Sequence, residues 1–171
     1  MRHINPLIVL AAGFASVAIV AAITPKQTEG VSVNNQEVKN YVIPGAGRKY
    51  LPWFYEAENT YKIPRNLLVR IAQQESGFNP NAYNEKTGAT GMMQIVLKWH
   101  PAMSEAAARD PYTAINYAGK YLREMYDKFH SWTLALAAYN WGPGNLQKQG
   151  IEKAPAETVA YIKNITADVA V

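Results

Sequence analysis

Apolar residues follow two regimes along this chain. From Leu7 to Ile23 the run LIVLAAGFASVAIVAAI is uncharged and apolar on every side. From Lys49 onward the apolar residues recur three and four apart, the period of helices that bury one face. Pro52 opens one such helix, PWFYEAEN, with proline in its first turn; Trp53 and Tyr55 are its expected core residues. Pro64 opens a second, carrying Leu67 to Gln74 and closing at Ser76-Gly77. Asp110-Pro111 reads as an N-cap followed by proline, starting a long helix with Ile115, Ala118, Leu122, Met125 and Phe129 on one stripe. Ser131 can cap a helix from Trp132 to Asn140, which stops before Gly142-Pro143-Gly144. A last helix is expected over Ala156 to Val169, with Val159, Ile162, Ile165 and Val169 in phase. No strand-type alternation is visible in this part, so the expected fold is a compact, mainly α domain.

One helix carries a residue out of character with its face. Counting back from Glu75 in helical steps gives Ala72, Ile71 and Leu68, so the carboxyl lies on the apolar side. Burial disfavours the ionised form and raises the pKa. A carboxyl that keeps its proton near neutrality can serve as a general acid, as the acid of glycoside cleavage does in lysozyme. The position also suits a structural Glu bonded to backbone groups.

The 171 residues suffice for one domain with a core. A formal charge of +4 without a long basic run suits an anionic surface such as a cell wall or lipid headgroups and speaks against nucleic acid. Cysteine is absent, which excludes disulfides and thiolate metal sites. His3, His100 and His130 stand far apart, in no metal-ligand spacing; neither metal nor cofactor is implied. Arg2 and His3 precede the Leu7–Ile23 run and Thr24-Pro25-Lys26 follows it, the layout of an export signal. The run also reaches the lower length of a membrane-spanning helix, about 17 residues. Residues 1–26 are therefore read as a signal peptide or membrane anchor, and 27–48, polar and aperiodic, as a linker with a short extended piece near Val38–Ile43.

Four motifs then change the weight given to Glu75. They are Gln74-Glu75-Ser76-Gly77-Phe78-Asn79-Pro80, Thr87-Gly88-Ala89-Thr90-Gly91-Met92-Met93-Gln94-Ile95, Ala138-Tyr139-Asn140-Trp141-Gly142-Pro143-Gly144, and Glu157-Thr158-Val159-Ala160-Tyr161-Ile162. In this order they closely resemble the lytic transglycosylases of the soluble type, goose-lysozyme-like enzymes that cleave peptidoglycan. The resemblance spans about Leu51 to Ile165 and marks 49–171 as a catalytic domain of lysozyme-like helical fold. It departs from the common pattern at Met92, where Leu is usual, and at Trp141, where Ala is usual.

By this resemblance Glu75 is the single catalytic acid/base. It protonates the oxygen between N-acetylmuramic acid and N-acetylglucosamine. It then takes the proton of the muramoyl C6 hydroxyl, which closes a 1,6-anhydro ring without consuming water. Ser76 corresponds to a residue that orients the substrate N-acetyl group or the Glu itself; its plainer reading is a hydroxyl bonded to backbone. Gly88 and Gly91 let a turn run close to a sugar. Met92 and Gln94 are expected to line the groove, with Met93 and Ile95 in the core. Tyr139 and Asn140 help define the site, with Tyr139 close to Glu75. Glu157 has an orienting, hydrogen-bonded role, and Tyr161, at i+4, faces the same way. A true hydrolase of the same bond is the alternative enzyme, and an inactive wall-binding or assembly component the alternative outside enzymes. The implied partner is the peptidoglycan glycan strand, together with the membrane if Leu7–Ile23 is retained. The implied place is the periplasm or cell envelope, by export or a single-pass anchor. A small wall-cutting domain fits wall remodelling, a secretion or conjugation machine, or a virion that passes its genome through the wall.

Overall fold

A computed structural model describes residues 41–171. The expected apolar helix at Leu7–Ile23 lies outside the described residues, as do most of the expected linker and the start of the Val38–Ile43 piece. The described part of that linker packs down: Tyr41 and Ile43 lie against the core, and Gly45–Arg48 forms a short helix, α1. Gly47 is buried there because the Phe78 ring sits where its Cβ would be, 2.7 Å away.

The domain is mainly helical, as expected. α2 (Leu51–Thr60) and α3 (Leu67–Ser76) form a pair that packs on α5 (Pro111–Phe129). α3 ends where the sequence places its stop, at Gly77 in the left-handed conformation (φ 62°), whose amide returns to the Ala72 and Gln73 carbonyls. α5 begins at an Asp110 cap that accepts from the Thr113 amide at 2.9 Å. Its stripe of Ile115, Ala118, Leu122 and Met125 is buried and Phe129 half-buried. α6 (Trp132–Trp141) is capped by Ser131 and buried on all sides from Ala135 to Asn140. A helix apolar all round belongs in the middle of a core, and α6 packs between α5, α7 (Pro143–Gln149) and α8 (Ala156–Thr166).

Five features depart from the sequence expectation. A small antiparallel sheet lies between α3 and α5: β1 (Tyr83–Asn84), β2 (Ala89–Thr90) and β3 (Ile95–Val96), in that order, with Tyr83 opposite Thr90 and Ala89 opposite Val96. Strands of two residues are too short to show alternation. They are set by turn chemistry, with the Asn84 side chain accepting from the Lys86 and Thr87 amides at 3.0 and 3.3 Å. A short helix, α4 (Glu105–Arg109), follows, capped by Ser104. Gly142-Pro143-Gly144 stops α6 but also starts α7, since Pro143 occupies its first turn. In α8 the buried face is Thr158, Tyr161 and Ile165, while Val159 is 52% exposed. In α2 the fully buried aromatic is Phe54, with Trp53 and Tyr55 half-buried on either side of it.

Candidate active site

The α3 stripe is buried as its periodicity requires: Leu68, Ile71 and Ala72 are fully covered and Glu75 is 5% exposed. Glu75 ends this face one residue before the end of the helix at Ser76. Its Oε1 accepts from the Tyr161 hydroxyl of α8 at 2.8 Å. Its Oε2 is buried with no hydrogen-bond partner among the described residues. Burial pushes the carboxyl up to about 8; the Tyr161 bond pulls the other way, and the charge of Glu157 adds a smaller rise. At neutral pH most molecules therefore carry a proton on Glu75, in a low-dielectric setting with one oxygen unengaged. Such a group can donate a proton to a bound oxygen and afterwards remain as a carboxylate steadied by Tyr161.

α6 and α8 supply the wall around it. Tyr139 is buried and donates to the Met93 carbonyl at 3.1 Å. Burial, and then the charge of Glu75, hold its hydroxyl well above the ordinary range, and the same two causes act on Tyr161. Asn140 accepts from the Thr158 hydroxyl at 2.7 Å, a buried bond tying the end of α6 to the start of α8. The third and fourth sequence motifs thus meet behind the first.

The loop from Gly91 to Ile95 packs against these helices. Ser76 donates to the Met92 carbonyl at 2.8 Å and accepts from the Asn79 amide at 3.1 Å, so it braces the end of α3 against the loop. This is the backbone-bonded reading of that residue. Met92 is fully buried alongside Met93 and Ile95, and Gln94, 4% exposed, donates to the Gly91 carbonyl at 3.0 Å. The expected groove-lining pair is thus buried, in a loop tied to α3 by Ser76 and to α6 by Tyr139. Gly91 has φ 79°, and a Cβ there would run into the Ala108 carbonyl oxygen at the end of α4. Its glycine is required by that packing; at Gly88, φ 73°, only the backbone angle asks for one.

Residues 52–162 match the family described as Transglycosylase SLT domain. The chain belongs to this family. Among its relatives, the membrane-bound lytic murein transglycosylase F of Stutzerimonas stutzeri is 35% identical over 107 residues, 58% of this chain and 22% of that protein. The soluble lytic murein transglycosylase of Escherichia coli K12 is 32% identical over 130 residues, 62% of this chain and 20% of that protein. The chain thus spans about a fifth of the length of the curated relatives it matches.

Within this SLT domain the sequence-derived residues other than Glu157 fall in two groups. Glu75, Tyr139 and Tyr161 are brought together, with Asn140 behind them. Ser76, Gly91, Met92 and Gln94 form the braced loop beside them. Glu157 is half-buried and close enough to act on Glu75 through its charge, but its side chain makes no hydrogen bond among the described residues; Thr158 makes the bond instead. Trp141, the departure noted above, is half-buried against the core. One buried carboxyl was not singled out in the sequence: Glu58 of α2, 1% exposed. The signal was present, since Phe54, Ala57, Glu58 and Tyr61 are spaced as one helix face. Among the described residues no helix is long and apolar enough to cross a membrane.

Proposed function

We propose that this SLT domain is a lytic transglycosylase of peptidoglycan, with Glu75 as its single acid/base. The observation that carries the reading is the state of that carboxyl: buried, held on one oxygen by Tyr161, unengaged on the other, and raised to about 8. The relatives named lytic murein transglycosylases support the substrate class.

In the proposed reaction Glu75 gives its proton to the oxygen joining N-acetylmuramic acid to N-acetylglucosamine, and the bond to the anomeric carbon breaks. The sugar's own N-acetyl group stabilises the positive charge, a substrate-assisted route that needs no second carboxylate. The ionised Glu75, steadied by the Tyr161 hydroxyl, then removes the proton of the C6 hydroxyl. That oxygen closes on the anomeric carbon and forms the 1,6-anhydro end. The proton returns to Glu75, so the site is restored without water. Tyr139 and Asn140 shape the site through Met93 and Thr158, and Ser76 acts through the loop it braces. The setting proposed is the wall side of the cell envelope, reached by export or by an anchor at Leu7–Ile23.

Replacement of Glu75 by Gln keeps the shape and removes the titrating proton. Lysis of purified wall is expected to fall by about 10²–10⁴-fold, the usual range for general acid/base catalysis, with melting behaviour preserved. Near-wild-type lysis by a folded Gln variant would overturn the assignment.

A further inference from the structure

The helix that ends in Glu75 is held at its start in an unusual way. The first amides of a helix have no acceptor within it, and the common remedy is the side chain of its own N-cap residue. Asn66 occupies that position in the left-handed conformation (φ 68°) and makes no such bond. Its Oδ1 instead accepts from the Tyr55 hydroxyl at 3.3 Å. The acceptors come from another helix: Glu58 of α2 accepts from the Asn66 amide on Oε2 at 3.0 Å and from the Leu68 amide on Oε1 at 3.1 Å. Arg65 closes the outside, its Nη1 3.9 Å from Glu58 Oε2 and its guanidinium over the Tyr55 ring at 4.1 Å.

A carboxyl in this place is costly. Burial pushes it up to about 7 despite the opposing pull of the backbone amides of Asn66, Leu68 and Val69 and of Arg65. An Asp or Ser at position 66 would cap the helix locally without burying a charge. What the cross-helix bonds add is a fixed relation between α2 and the first turn of α3. At the far end of α3, Ser76 reaches the Met92 carbonyl and Glu75 meets Tyr161, so these contacts depend on where the helix start is held. From Leu67 to Glu75 the helix rises about 12 Å, so a tilt of about 5° at its first turn displaces Glu75 by about 1 Å. A displacement of that size can cost about 10²-fold in rate.

We propose that Glu58 is a positioning residue for the reaction: from α2 it clamps the start of α3 and thereby sets where Glu75 stands. This rests on the reading of Glu75 given above. The test compares wild type, Glu58→Gln, Glu58→Ala and Glu75→Gln on soluble glycan strands, well below each melting midpoint. Glu75 is titrated by carboxyl-carbon NMR in the first three. Glu58→Gln keeps one acceptor and is expected to fold, with kcat lowered about tenfold, KM within about twofold, and the Glu75 titration displaced. Glu58→Ala is expected to lose more kcat in the same pattern. A folded Glu58 variant with wild-type kcat and an unmoved Glu75 titration, whatever its melting midpoint, overturns the proposal. So does a Glu58→Gln chain that does not fold at all, which would make Glu58 a folding requirement only. Activity in Glu75→Gln would sink the reaction reading instead, while the Glu75 titration would still report on the clamp.

Discussion

Removing the Tyr161 hydroxyl tests the electrostatics of the site without touching its carboxyl. Tyr161→Phe deletes the one hydrogen bond that Glu75 receives among the described residues, at 2.8 Å on Oε1. A hydrogen bond to an ionised group is worth about 1.5–3 kcal/mol and one between neutral groups about 0.5–1.5 kcal/mol. The bond therefore favours the ionised carboxylate by roughly 1–1.5 kcal/mol, which is about one pKa unit. Burial has already raised Glu75 to about 8 against the pull of this bond. Without the bond, the titration is expected to move about one further unit upward. Because the reaction starts from the protonated form, the alkaline limb of kcat/KM, which reports the free enzyme, moves to higher pH by the same amount. Below that limb the rate falls about tenfold, because the carboxylate formed after proton donation loses its stabiliser. The assays are the pH dependence of kcat/KM on soluble glycan strands and a carboxyl-carbon NMR titration of Glu75 in both proteins. A Glu75 titration that stays put or moves down in Tyr161→Phe, or one at the ordinary carboxylate value in the wild type, refutes the reasoning.

Two further outcomes follow from the same geometry. The folded pKa of Glu75, about 8, lies above its unfolded value of 4.5, so its favourable contribution is complete below the unfolded value and is lost as pH rises toward the folded one. Glu75→Gln removes that loss: by urea unfolding it is expected to match wild type near pH 4 and to be more stable by up to about 3 kcal/mol at pH 7, and a Gln variant less stable at pH 7 contradicts this. Gly91→Ala places a Cβ against the Ala108 carbonyl at a positive φ; a loss of about 2–4 kcal/mol in unfolding free energy is expected, and a loss below about 0.5 kcal/mol would show that the loop yields there.

What the sequence revealed depended on how each feature is encoded. α5 is legible from its stripe and its Asp110-Pro111 start, α3 from its stripe and its Gly77 stop, and α6 from its Ser131 cap and its Gly142 stop. Glu75 was legible for the same reason: its stripe ends in a carboxyl. The apolar phase of α8 places Val159 inside, whereas a polar residue, Thr158, takes the inner position. Thr158 is satisfied there by Asn140, and Val159 turns to solvent, a pairing across 18 residues that no local pattern announces. The sheet was hidden because turn bonds at Asn84, and not side-chain alternation, hold its two-residue strands. Met92 and Gln94 are assigned to a groove by the family resemblance alone; in the structure both are buried, in a loop tied to α3 by Ser76 and to α6 by Tyr139. Glu58 carries the same signal as Glu75, but its partners are amides at the start of the next helix, which no pattern within α2 announces.

The reaction leaves a mark on its product, and that mark is the most direct check. Purified peptidoglycan digested by this domain, with Glu75→Gln in parallel, would be separated and weighed by mass spectrometry. The expected products carry 1,6-anhydromuramoyl ends in the wild-type digest and are absent from the Gln digest. Ends heavier by one water would show hydrolysis in place of internal ring closure, and anhydro ends from a folded Gln variant would remove Glu75 from the chemistry.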